Sequence, residues 1–179
     1  YFFVDIVRDG ILLRDTPGSP LTSPTELSPT TALDEAEGFY EQWMESASQA
    51  LGTYELVLAQ GWSKKAAFEL HQAAEHYYNC ALLVLTLYTP KSHNLVRLRH
   101  LAEPLDPRLA AIWPTDTKFE KRCFELLRAA YIKARYSRHY KITTEELAWL
   151  GERVAKLKTA VQAVCEDRLA ALKLRAAAE

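Results

Sequence analysis

Residues 143–164 read TTEELAWLGERVAKLKTAVQAV, and their periodicity decides the class of fold. Leu147, Leu150, Val154, Leu157, Val161 and Val164 return in steps of three and four, which places them on one buried face of a helix. Thr143 stands three residues before Glu146, the spacing of a capping box that satisfies free amides at a helix start. A stripe of this kind suits helices packed about 20° from parallel, as in a bundle.

Working backwards, the preceding helix is predicted to start near Thr117, again with Glu120 in the box position, and to bury Phe119, Cys123, Leu126, Ala130 and Ala134. Ser63 is predicted to cap a helix that runs to about Tyr88, with Ala67, Leu70, Ala74, Tyr77 and Ala81 facing inward. Its second half, ALLVLTLY, is apolar on nearly every side, so it lies at the centre of a bundle or under another subunit. A first long helix is predicted from Thr31 with Asp34 in the box position, carrying Phe39, Trp43, Ala47, Ala50, Tyr54 and Leu58 on one face. Gly61 ends it where a left-handed cap is needed. Between residues 89 and 117 four prolines leave room only for short helices, one with Leu95, Leu98 and Leu101 on a face and another capped by Asp106 before Pro107. The expected fold is all-α, an antiparallel four-helix bundle (five or six helices with the short ones) over residues 34–172, with a tail at 173–179.

The chain ahead of the bundle reads differently. FFVDIV and ILLR flank Asp9-Gly10, the pattern of a β-hairpin with a tight turn. Pro17, Pro20, Pro24 and Pro29 among Ser and Thr mark residues 16–33 as a linker. A lone hairpin is marginal in water, so residues 1–15 read as the remnant of a sheet domain. Residue 1 is Tyr and the only Met is Met44, so the chain reads as part of something longer.

Composition narrows the function classes. At 49% apolar and 25% charged residues the chain is globular in type. The longest apolar run, Cys80–Leu85, is far short of the roughly 20 residues that span a bilayer, so no membrane is expected. Cys80, Cys123 and Cys165 are odd in number and sit in apolar patterns, which points to buried thiols and a cytoplasmic protein. The net charge of −1 hides an asymmetry. Residues 118–141 carry eight basic side chains against Glu120 and Glu125, an excess that attracts phosphates or acidic partners.

Candidate chemistry concentrates in two polar segments. Lys91-Ser92-His93-Asn94 precedes a short helix; Asn94 or Ser92 can cap it, and Lys91 with His93 beside a helix start can hold phosphate. Arg135-Tyr136-Ser137-Arg138-His139-Tyr140 joins the third and fourth long helices. Arg135 can clamp phosphate, His139 can move a proton, and Tyr136 or Tyr140 can stack on a base. The alternative is that Arg135 bonds the last carbonyls of its helix while the tyrosines fill a bundle end. His71 and Glu75 lie one turn apart, but the sequence offers no further converging ligands, and no metal is expected.

The stretches FELHQAAEHYYNCALL (68–83), PKSHNLVRLRHLAE (90–103), FELLRAAYIKARYSRHY (124–140) and ITTEELAWL (142–150) resemble the HEPN domain. Residues 1–15, YFFVDIVRDGILLRD, resemble the closing strands of the nucleotidyltransferase domain fused ahead of HEPN in one group of proteins. The resemblance implies a helical bundle, commonly a homodimer, that binds a nucleotide or RNA phosphate and serves the attached transferase, whose Mg requirement belongs to the upstream domain. It also implies two alternatives: a metal-independent ribonuclease of the toxin–antitoxin kind, or a structural dimerisation appendage. Ribonuclease-type members carry an Arg followed after four to six residues by His. Arg135 and His139 match with only three residues between them, and Tyr140 is the nearest equivalent of a nucleotide-accepting Tyr. Ligand binding is therefore expected at Lys91, His93, Arg135, Tyr136 and Tyr140, and catalysis, if any, at Arg135 and His139.

Overall fold

The computed structural model describes residues 6, 7, 10, 11 and 27–178. From Pro29 onward the described residues form six α-helices: α1 (Pro29–Ala59), α2 (Ser63–Thr86), α3 (Leu95–Ala102), a 3-10 turn (Glu103–Leu105), α4 (Pro107–Ala110), α5 (Lys118–Tyr136) and α6 (Thr144–Ala176). No strand occurs among the described residues. Of the expected hairpin, Ile6 and Val7 are helical rather than extended, and the Gly10 amide donates to the Ile6 carbonyl at 2.9 Å. The rest of the hairpin and linker residues 16–26 lie outside the described residues.

Cross-helix bonds show how the bundle is strung. Ser46 Oγ lies 3.0 Å from His76 Nδ1, each about equally far from the turn at Gly61, so α2 runs back along α1. Tyr54 bonds Leu147 and Tyr40 bonds Glu166, which makes α6 antiparallel to α1. Lys64 reaches the Ser137 carbonyl and His71 the Leu127 carbonyl, which makes α5 antiparallel to α2. α2 touches α1, α3, α5 and α6 and is therefore the central helix, as its all-round apolar second half requires.

The helix ends follow their capping chemistry. Gly61, at φ +74°, ends α1 in a Schellman motif: its amide bonds Leu58, and the Trp62 amide bonds Val57. Thr117/Glu120 and Thr143/Glu146 are complete capping boxes. α1 starts earlier than expected, because Ser28 caps it and Pro29 takes the first position. Ser63 is the first residue of α2 rather than its cap, and Leu87, in the left-handed region at φ 53°, ends that helix before Tyr88.

Burial matches the stripes in most places. All six apolar residues of the α6 stripe are buried, as are Ala67, Leu70, Ala74, Tyr77 and Ala81 of α2. Phe119 and Leu126 are only partly buried; Phe124 and Leu127 take the inner positions on α5. Leu101 is exposed, and Ala102 packs inward beside Leu95 and Leu98. The three cysteines are free and buried. Hydrogen bonding to Cys165 and burial push the Cys80 thiol far up, and burial pushes Cys123 up to about 11, so both stay protonated and unreactive at neutral pH.

Two glycines give a test of the α1–α6 contact. A Cβ at Gly151 would lie 2.6 Å from the Tyr54 hydroxyl oxygen and 3.0 Å from two ring carbons. Tyr54 is buried and donates to the Leu147 carbonyl at 3.1 Å, so it has little freedom to retreat. Gly52, in α1, has open space where its Cβ would stand. Gly52→Ala should therefore stabilise by the helix-propensity gain, about 0.5–1 kcal/mol. Gly151→Ala should destabilise despite the same gain. Thermal melts with shifts of one sign for both variants would contradict this packing.

Candidate functional site

One side of α2 is polar although it is buried. His71, Glu75 and Asn79 recur every fourth residue, so they form a single row beneath α5 and the segment between α2 and α3. Each finds a partner there. Asn79 Oδ1 accepts from the Thr89 hydroxyl at 2.6 Å. His71 Nδ1 donates to the Leu127 carbonyl at 3.0 Å, and its Nε2 lies 3.4 Å from Glu75 Oε2. Glu75 takes the Nδ1–H of His93 across both oxygens, at 2.9 and 3.1 Å. Burial pushes the Glu75 carboxyl up, but the contacts with His71 and His93 outweigh it and hold the group below its ordinary value, ionised at neutral pH.

His93 therefore sits at a junction. Its ring stacks on Tyr131 of α5, centroids 4.2 Å apart and planes 17° apart. Its side chain is nevertheless 56% exposed. It lines a cavity of about 440 Å³ with Ser92, Asn94, Arg128, Tyr131 and Lys133 among the walls. A second cavity of about 430 Å³ adjoins it, lined by Arg122, Glu125, Arg128, Lys133, His139 and Lys141. Arg128, Ala129 and Lys133 belong to both, so the two form one groove along the exposed face of α5 with four cations on its walls. Arg128 is bonded to Glu125 at 2.5 Å and Arg122 to Glu146 at 2.6 Å; Lys133 makes no ion pair among the described residues.

The expected site residues divide. His93 lines the first cavity and His139 the second. Tyr140 forms part of the second cavity's wall but is buried, its hydroxyl donating to the Leu126 carbonyl at 3.0 Å; it fills the end of the bundle, and its ring has no face open to a base. Lys91 is exposed and lines neither cavity, and Tyr136, 76% exposed, is likewise outside both. Arg135 donates Nε–H to the Tyr131 carbonyl at 2.6 Å, with its guanidinium 4.4 Å from the Tyr131 ring and 5.0 Å from Phe68 and Tyr136. One of its donors thus bonds the end of its own helix, while the side chain stays exposed. α5 ends at Tyr136 and Ser137 is extended, so Arg135 and His139 do not share a helical face. His139 Nε2 accepts from Arg138 at 3.1 Å.

A model of the HEPN domain matches residues 40–164. The chain belongs to the HEPN family. No curated protein shows significant similarity to it. The HEPN match begins in α1, ends in α6 and encloses both cavities and the buried polar row. Among the described residues no cluster of three or more His, Cys, Asp or Glu could hold a metal ion, and no helix is long and apolar enough to cross a membrane. The contacts that organise this HEPN groove, Glu75 with His93 and Tyr131 with His93, join segments 18 and 38 residues apart. Only the His71–Glu75 spacing and the basic run of α5 hinted at them in the sequence.

Proposed function

We propose that this HEPN bundle is a phosphate-binding module that takes single-stranded RNA or a nucleotide along the α5 groove and serves an attached nucleotidyltransferase. The observation that carries the reading is the pair of adjoining cavities sharing Arg128 and Lys133, with Arg122 and Lys141 on the outer wall. Cations spaced along a groove track a phosphate backbone. HEPN domains are known for nucleic-acid binding or RNA cleavage, which agrees with this charge pattern. Any Mg belongs to the transferase. Ile132 and Tyr136 stand exposed on α5 beside the groove, at 62% and 76%, which favours a homodimer through this face.

Fluorescence anisotropy with a labelled single-stranded RNA tests the reading. Binding should weaken with salt at a logarithmic slope of about −0.7 per phosphate neutralised. The same sample should scatter light as about twice 20.3 kDa. Affinity that does not respond to salt would remove the phosphate reading, and a monomer mass would remove the dimer.

A further inference from the structure

We propose that the buried row of α2 is a proton-linked regulator of the groove: when an anion binds there, His71 takes up a proton at Nε2 and cancels the charge of Glu75. The inference rests on the reading of the groove as a phosphate site. It starts from a buried atom with an unmet hydrogen bond. The His71 side chain is fully buried, and its Nε2 has no hydrogen-bond partner. The Leu127 carbonyl can only accept, so the proton of a neutral His71 ring is on Nδ1 and Nε2 carries a lone pair. That lone pair faces Glu75 Oε2, a second acceptor, at 3.4 Å. Two acceptors meeting away from water repel, and neither recovers the hydration it has lost. One proton between them turns the contact into a charge-assisted hydrogen bond.

The proton belongs on the imidazole. Against its burial, contacts with His71 and His93 hold the Glu75 carboxyl below its ordinary value, and the carboxylate keeps His93 Nδ1–H across both oxygens. The consequence reaches the groove through His93, whose ring bonds Glu75 and also lines the first cavity. With both imidazoles neutral, the row carries one negative charge a single ring away from a site walled by Arg128 and Lys133. That charge opposes an anionic ligand, and a proton on His71 removes it. By linkage, a ligand that binds the protonated row better must also draw the proton in.

The other ionisable groups packed around the row have partners of their own or stand on the groove wall. On α2 itself, burial holds His76 below its ordinary value, with Nδ1 3.0 Å from Ser46 Oγ of α1, and Glu69 is paired with Lys65. α5 presents Tyr131, stacked on His93, beside the cations of the wall. α3 brings Arg99, paired with Glu103, to Tyr78, and α6 meets α2 where Cys165 bonds Cys80. The His71–Glu75 contact is thus the place in the row where an added proton gains a bond.

The test measures the affinity of the full chain for labelled oligothymidylate at constant ionic strength between about pH 6 and pH 8, within the range where histidine changes charge. Phosphodiesters and thymine keep one charge state there. Affinity should rise as pH falls, by up to about tenfold per unit, the limit for uptake of one proton. Calorimetry in buffers of different ionisation enthalpy should read the same proton directly. Glu75→Gln keeps the shape and removes the charge: its amide N–H can donate to His71 Nε2 while its oxygen accepts from His93. At the upper end of the range it should bind as tightly as the parent does at the lower end, with no pH slope. His71→Asn keeps a donor for the Leu127 carbonyl and loses Nε2. It should also show no slope, but stay at the weak affinity of the parent at high pH. Opposite affinity levels in two variants of parent-like circular dichroism separate a charge effect from a merely structural one, and either variant decides if the other does not fold. A parent that binds with no pH slope overturns the inference and leaves the groove reading standing. An oligomer that does not bind at any pH overturns both. A slope that survives His71→Asn puts the proton on His93 or His139 and overturns the inference as well.

Discussion

Replacing Arg128 and Lys133 together by Ala should cut the affinity for single-stranded RNA by roughly a hundredfold or more while leaving the helical content intact. Both side chains line both cavities, so they stand wherever a strand runs along the groove. A hydrogen bond to a charged group contributes about 1.5–3 kcal/mol, so two contacts together reach at least about 3 kcal/mol, more than a hundredfold. The shares should be unequal. Arg128 already spends part of its charge on Glu125, whereas Lys133 has no acidic partner among the described residues. Lys133→Ala alone should therefore weaken binding more than Arg128→Ala alone. The salt slope should fall by about 1.4 for the pair, since each lost contact removes about 0.7. Both residues are on the exposed face of α5, so the far-ultraviolet spectrum should not change. An unchanged affinity in the double variant would show that the groove is not the binding surface.

Leu157→Ala is expected to be among the most damaging single changes to the fold. Leu157 is fully buried in the middle of the α6 stripe, between Val154 and Val161. Removing its branched end leaves a void that the neighbouring helices can fill only in part, which typically costs about 2–5 kcal/mol. A domain of ordinary stability has about 5–15 kcal/mol in all, so a large fraction of its margin would go. For a chain of this size the melting temperature should fall by roughly 4–20 °C. Lys156→Ala, one residue away but half exposed and paired with Glu152 only at the surface, should change stability by less than about 0.5 kcal/mol. Equal shifts for the two would mean that α6 does not present the Leu147–Val164 stripe to the core.

Much of the bundle was legible because its signals are local. The α6 stripe, the two capping boxes and the Schellman turn at Gly61 each depend on residues within about one or two turns of one another, a range over which the chain itself sets the geometry. The errors occurred where two local solutions compete. Ser28 with Pro29 outbid Thr31 as the start of α1, and Ala102 took the inward position predicted for Leu101 once a 3-10 turn followed α3.

The site was legible only as an inventory. Residues 118–141 announced a positive field, His93 and His139 were singled out, and both line the groove. Tyr140 could not be placed without knowing that Leu126 offers its hydroxyl a buried carbonyl. For Arg135 the sequence left two roles open, a phosphate clamp or a bond to the last carbonyls of its helix; its Nε–H makes the bond to Tyr131, and the exposed guanidinium lies against the rings of Tyr131, Phe68 and Tyr136. By itself, then, the sequence determined four long helices, the capping boxes that start α5 and α6, most of the buried faces and the strongly basic character of α5, because periodicity, capping and net charge are properties of neighbouring residues. Only the tertiary structure decided which histidine a carboxylate holds, which cations share a cavity and which tyrosine is sealed in the core. Those depend on contacts between α2, α5 and the segment joining α2 to α3, and such contacts arise only when the helices pack.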